Sequence, residues 1–148
     1  MTKAVQNLVR AVLLALPPIA GAGLASAEDT QGAGGVTIEL SSAVNQDHGC
    51  LLSFVVENAH PADIGGAVYE TVLFGAQGEV ALLTLLDFQD LPAGRPRVRQ
   101  FKFAGLACNR ISRILINGVQ DCAYPGDLAD ACLSGLTLRS RLETELIG

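Results

Sequence analysis

Polar and apolar residues alternate along most of this chain with a period of two, and the alternating runs are short and rich in Val, Ile, Leu and Phe. That period belongs to half-buried strands, whose successive side chains point to opposite faces. Residues 36–40 (VTIEL) read as the first strand and 51–57 (LLSFVVE) as the second. In the second, Leu52, Phe54 and Val56 are expected on the core side, with Ser53 and Glu57 facing water. Asn58 to Gly66 carries Pro61 and Gly65-Gly66 and reads as a loop. Residues 67–74 (AVYETVLF) form the third strand, Gly75-Ala-Gln-Gly78 a tight turn, and 79–86 (EVALLTLL) the hairpin partner that pairs back. After a second turn at Leu91-Pro-Ala-Gly94 come 97–103 (RVRQFKF), 111–117 (ISRILIN) and 136–142 (LTLRSRL).

Ala and Leu favour helices, so 79–86 also admits a helical reading. Eight residues between two turn signals are too few for an independent helix, and the strand reading stands. About seven short strands joined by turns predict an all-β sandwich of two sheets, of the immunoglobulin or fibronectin-III type, over residues 36–148.

The first 27 residues have a different grammar. Lys3 and Arg10 precede an apolar run over 11–24, Ala25-Ser26-Ala27 follows, and the first acid is Glu28. This is the order of a cleavable secretory signal. The run is shorter than the roughly 20 residues of a spanning helix and holds Pro17-Pro18, so no stable membrane anchor is expected. Cleavage after Ala27 would deliver the protein to the periplasm or the medium. Residues 28–35, with Gln-Gly-Ala-Gly-Gly at 31–35, read as a flexible linker.

Processing changes the charge. The full chain has 10 Lys+Arg and 15 Asp+Glu; without Lys3 and Arg10 the balance is 8 against 15, or −7. An acidic surface argues against nucleic acid and anionic lipid as partners. The only methionine is Met1, so a soft thioether copper site is not expected either.

All four cysteines, Cys50, Cys108, Cys122 and Cys132, lie in the mature part. An even count in an exported chain predicts two disulfides, for which three pairings are open. Cys122 and Cys132 flank a turn-rich acidic segment that can fold back on itself, while Cys50 and Cys108 each precede a β-type run. Cys50–Cys108 and Cys122–Cys132 are therefore expected. No Cys-x-x-Cys pair is present, which argues against thioredoxin-like redox work and against zinc.

Phe54-Val-Val-Glu-Asn58, Val72-Leu-Phe-Gly-Ala-Gln-Gly78, Leu91-Pro-Ala-Gly94 and Phe101 together resemble the pattern of bacterial FxLYD-type and related immunoglobulin-like domains. Gly75 stands where that pattern has a turn Asp. Cys108-Asn-Arg-Ile-Ser-Arg-Ile-Leu-Ile-Asn117 is similar to a stretch found in a group of periplasmic proteins of alphaproteobacteria. The likeness spans about residues 36–122. It implies the sandwich fold and an extracytoplasmic location, and it brings no catalytic residues with it.

Candidate chemistry is sparse. His48 and His60 are the only histidines, and both fall in predicted loops, where surface exposure is the ordinary outcome. A metal-handling protein or a hydrolase built from His48, His60 and nearby acids is the contrasting reading; a metal site there would need Cys50 free and a fourth ligand. Ser41, Ser42 and Asp47 flank His48 without a nucleophile-elbow motif. Asp127 and Asp130 lack the spacing of a calcium loop. Arg95, Arg97 and Arg99 alternate on one strand, either as guards of a sheet edge or as a dock for an acidic protein partner. Their parity is that of Phe101 and Phe103, so they must lie at the core's edge or follow a bulge. The expectation is an exported, non-catalytic accessory or binding module that works by protein–protein contact, without cofactor or metal.

Overall fold

The computed structural model describes residues 34–126 and 130–148. The predicted signal (1–27) and most of the predicted linker lie outside the described residues. Eight strands are present: β1 (Val36–Gln46), β2 (Gly49–Asn58), β3 (Ala67–Phe74), β4 (Val80–Asp87), β5 (Arg97–Ala104), β6 (Arg113–Cys122), β7 (Thr137–Ser140) and β8 (Glu145–Ile147). A 3-10 turn, Cys108–Arg110, sits between β5 and β6. The strands form two four-stranded sheets, β5-β2-β1-β7 and β4-β3-β6-β8. Their inner faces supply a common core, with Ile38, Leu40, Leu52 and Phe54 from the first sheet and Tyr69, Leu73, Leu86 and Ile114 from the second all essentially inaccessible. The all-β sandwich is thus the fold, and the helical reading of 79–86 falls, since β4 pairs antiparallel with β3 from Val68↔Asp87 to Phe74↔Val80.

Several boundaries differ from the sequence pattern, among them that of β6, which runs on to Cys122. β1 runs on to Gln46, because a bulge at Ser41 lets a polar, half-exposed continuation keep pairing with β2. Gln46 pairs with Gly49 across a two-residue turn, Asp47-His48, in which His48 takes φ 57. Such turns favour glycine, and a histidine there hides the hairpin from inspection of the sequence. At the C-terminus the single expected strand is two. Ser140 breaks it: its Oγ accepts from the Leu142 amide at 3.1 Å and donates to the Thr144 carbonyl at 2.6 Å. The chain bends there, leaving β7 parallel to β1 in one sheet and β8 parallel to β6 in the other.

Two further expectations are corrected. Ser53 does not face water freely: it is 7% exposed, flanked on the outer face of β2 by Gln100, whose Nε2 donates to Ser53 Oγ at 2.9 Å. His60 is not a surface residue but is buried, as described below.

Both disulfides have the expected pairing, Cys50–Cys108 and Cys122–Cys132. Cys50 lies inside β2 rather than before it, and Cys108 lies in the 3-10 turn on the crossover from the first sheet to the second. This bridge ties β2 to the crossover instead of joining strand to strand. The Cys122–Cys132 loop is anchored separately. Tyr69 Oη donates to the Cys132 carbonyl at 2.7 Å, and His60 Nε2 lies 2.7 Å from the Ala131 carbonyl.

Phe88, just past β4, is fully buried and stands in the middle of an aromatic cluster. Its ring meets those of Phe54, Tyr69 and Phe101 edge-on at centroid distances of 5.7, 5.6 and 5.2 Å. These arrangements match the quadrupoles of the rings. The Asn58 side chain organises the facing loop. Its Nδ2 donates to the carbonyls of Ala62 (2.9 Å) and Leu91 (2.8 Å), and its Oδ1 accepts from the His60 amide at 2.9 Å. Asn58 is 1% exposed, so these bonds replace the water that burial takes away.

Candidate functional site

The arginine stripe lies on β5, an edge strand of the first sheet. Pairing of β5 with β2 runs from Gly49↔Ala104 to Val56↔Arg97 with no register shift, so no bulge separates the arginines from Phe101 and Phe103. Arg97 and Arg99 share their inward face and sit at the core's rim. Arg99 Nε donates to the Phe88 carbonyl at 2.6 Å, and its Nη2 donates to the Asp90 carbonyl (3.0 Å) and to Asp90 Oδ1 (3.1 Å). Arg97 approaches the other Asp90 oxygen at 3.5 Å. Two of the three cations therefore hold the segment after β4 against β5. Arg95 is exposed, outside the strand.

The histidines are not brought to a common chemistry. His48 is exposed at the β1–β2 turn. His60 is buried against Tyr124, with ring centroids 5.2 Å apart, and Gly34 packs so close that a Cβ there would come within 2.7 Å of His60 Nδ1. Cys50 is bonded to Cys108, so the imagined His48–Cys50–His60 set has no thiolate to offer a metal. Among the described residues no group of three or more His, Cys, Asp or Glu side chains is placed to hold a metal ion. Asp127 lies outside the described residues.

The feature that inspection of the sequence missed is apolar. The two outer faces of the sandwich differ in character. On the first sheet, Thr37, Glu39, Glu57 and Arg139 occupy the outward positions of β1, β2 and β7, and Arg141 pairs with Glu39. With Val55 these side chains line a hollow of about 200 Å³; farther along the same face Val98, paired with Val55, and Val44 are exposed singly among polar neighbours. On the second sheet one row of cross-strand neighbours is apolar from edge to edge: Leu83↔Val72, Val72↔Leu115 and Leu115↔Ile147, covering β4, β3, β6 and β8. Leu83 is 59% exposed, Ile147 40%, and Leu85, next along β4, 51%. Arg113 and Glu145, paired at 2.8 Å, and Glu70, which accepts from Asn117, border the row. The readable signal was there: 79–86 has leucines at both parities, Leu82 and Leu86 as well as Leu83 and Leu85, and a strand apolar on both faces wants cover on both.

β4 is also an edge strand, and it faces β5 across the open side of the sandwich. Between them runs a groove of about 390 Å³, with Leu82, Thr84 and Leu86 on one wall and Phe101 and Phe103 on the other. Gln100 and Lys102 contribute its polar lining. Leu82 remains 37% exposed on this inner side.

Among the described residues no helix is long and apolar enough to cross a membrane. The two disulfides fit an oxidising, extracytoplasmic compartment. No family model matches the chain, and no curated protein matches it. A solved structure described as the structural characterization of IrmA from Escherichia coli is similar, with a TM-score of 0.52 at 9% sequence identity, over 72% of this chain and 92% of that chain. At that identity the likeness is one of fold, and the fold it supports is the β-sandwich.

Proposed function

We propose that the chain is an exported, non-catalytic binding module that meets a partner protein through the outer face of its second sheet. The observation that carries this is the apolar row Leu83–Val72–Leu115–Ile147 across the four strands, in which Leu83 and Ile147 stand open at the two edges, with Leu85 exposed beside Leu83, while Val72 between them is buried. Exposed apolar side chains rimmed by charges cost solubility, and a partner that covers them accounts for their place at the surface. The polar rim of Arg113, Glu145 and Glu70 would orient the contact. The secretory signal read in residues 1–27 and the two disulfides support action outside the cytoplasm, with a mature chain beginning at Glu28.

A photo-reactive residue tests the face in living cells. Placed at Leu83 or Ile147 it should give a discrete cross-linked adduct with another protein; placed at Thr37, among the charged side chains of the first sheet's outer face, it should give none. Equal cross-linking from both faces, or none from Leu83 and Ile147, overturns the assignment. Intact mass of the exported form checks the start at Glu28.

A further inference from the structure

The sandwich has four edge strands among the described residues: β5 and β7 in one sheet, β4 and β8 in the other. Edges present unpaired backbone donors and acceptors, and proteins normally guard them. β7 has four residues and β8 three, too short to template a long pairing. β5 carries Arg97, Arg99 and Lys102. β4 has eight residues and no charge before its last, Asp87. It is the one long edge of the fold without a guard, and it stands beside a groove that its own inner side chains leave partly unfilled.

We infer that β4 and the β4–β5 groove take an extended segment of a partner protein by strand addition. The occupant is a stretch with apolar side chains at alternate positions and an acidic residue beside them. The backbone of the segment would pair with the free edge of β4. Every second side chain would then point into the groove, onto Leu82 and the half-buried Phe101, and cover what is now open. Main-chain pairing gives such complexes affinity, and pockets for alternate side chains give them specificity. The acid follows from the rim of the groove's far wall, where Lys102, exposed at the outward position between Phe101 and Phe103, borders the space. The same rim disfavours a second copy of this chain: joining two β4 edges across a two-fold axis would bring the two β5 strands, each with its exposed Lys102, toward each other. A single extended segment adds a strand without adding a second β5. This inference rests on the reading of the chain as a binding module, but it concerns the groove and edge rather than the outer face.

A displayed library of random nonapeptides, selected against the mature protein, is the probe. Selected peptides should be apolar at alternate positions, enriched in Asp or Glu and poor in Lys and Arg. Against Leu82→Lys, which puts a charge on the partly exposed inner side of β4, a synthetic consensus peptide should bind at least tenfold more weakly, with the variant's melting transition unchanged. Methylating alternate backbone nitrogens of the peptide should abolish binding in one phase and spare it in the other. Lys102→Glu should switch the selected charge from acid to base. Substituting Leu83 and Ile147 on the outer face should leave peptide binding intact, so failure of that face and failure of the groove are separable. Selection of no alternating pattern, or binding indifferent to Leu82→Lys, overturns the proposal. So does a concentration-dependent dimer in sedimentation that Leu82→Lys dissolves, for then a second copy holds the edge.

Discussion

Arg99 grips Asp90 twice, donating from one guanidinium nitrogen to its backbone carbonyl at 3.0 Å and to its carboxylate at 3.1 Å, while its Nε reaches the Phe88 carbonyl. With this the alternating arginines of β5 acquire unequal roles. Arg99 fastens the chain where it leaves β4 and drops Phe88 into the aromatic cluster. Its side chain is 16% exposed, against 31% for Arg97. Arg99→Ala should therefore destabilise the fold by about 1–3 kcal/mol, the range for losing charged donors to buried or half-buried acceptors. Arg97→Ala should cost no more than about 1 kcal/mol, as for an exposed pair, and Arg95→Ala about 0.5 or less. Urea midpoints of the three variants rank them. Equal losses would mean that the Arg99 bonds contribute nothing beyond surface charge.

Tyr69 makes the fold sensitive to alkali. Its ring is wholly inaccessible, its hydroxyl donates to the Cys132 carbonyl at 2.7 Å, and burial raises its pKa above the ordinary tyrosine value. The folded state thus keeps a proton that the unfolded chain releases above about pH 10. A raised folded pKa contributes stability that is whole below the unfolded pKa and is lost as pH climbs toward the folded one. Above pH 10 the unfolding free energy should fall with a contribution of about 1.4 kcal/mol per pH unit from this residue. In Tyr69→Phe that contribution should vanish, leaving a shallower decline, and near pH 7 the variant should be weaker by about 1 kcal/mol for the lost bond. Denaturant titrations between pH 8 and 11 give both numbers. Parallel alkaline slopes in the two proteins would remove Tyr69 as the source.

The two disulfides close loops of very different length, with sequence separations of 58 and 10. In the chain-entropy account this difference alone is worth about 1.5 kcal/mol in favour of Cys50–Cys108. Replacing Cys50 and Cys108 by Ala should accordingly cost more than replacing Cys122 and Cys132. The margin should be narrower than the entropy figure, because the short loop also positions the carbonyls that Tyr69 and His60 use. Melting of both double variants tests the order. A larger loss from the short bridge would show that these anchoring bonds outweigh loop length.

What could be read from the sequence was local. The β3–β4 hairpin was legible because Gly75 and Gly78 bound a four-residue turn between two apolar runs, and Gly78 indeed takes φ 83. The disulfide pairing was legible because turn chemistry and strand order both pointed the same way. Burial that depends on distant partners was not legible. His60 looks like a loop residue until Asn58, Ala131 and Tyr124 close around it. Phe88 looks like the start of a loop until Arg99, eleven residues on, pins its carbonyl. The apolar outer face escaped for a related reason. Val72, Leu115 and Ile147 are unremarkable in their own strands, and only cross-strand register sets them in one row with Leu83.

That row leads to a prediction in which stability and surface chemistry part ways. Leu83 and Leu85 point outward from β4 and are more than half exposed, whereas Leu86 on the same strand is 2% exposed and packs in the core. A side chain that already meets water loses little when shortened, and threonine suits a pleated surface. The double variant Leu83→Thr/Leu85→Thr should stay within about 1 kcal/mol of the parent in urea unfolding. Leu86→Thr should cost about 2–4 kcal/mol, since it empties core volume and buries a hydroxyl. Solubility should run the other way. The outward double variant should tolerate a higher ammonium sulfate concentration before precipitating, because salting-out strengthens apolar association and the variant has less apolar surface to associate. Leu86→Thr should tolerate less, as partly opened molecules expose the core. If the outward leucines prove as costly to replace as Leu86, they are serving the fold, and the open face is part of the structure rather than a place for a partner.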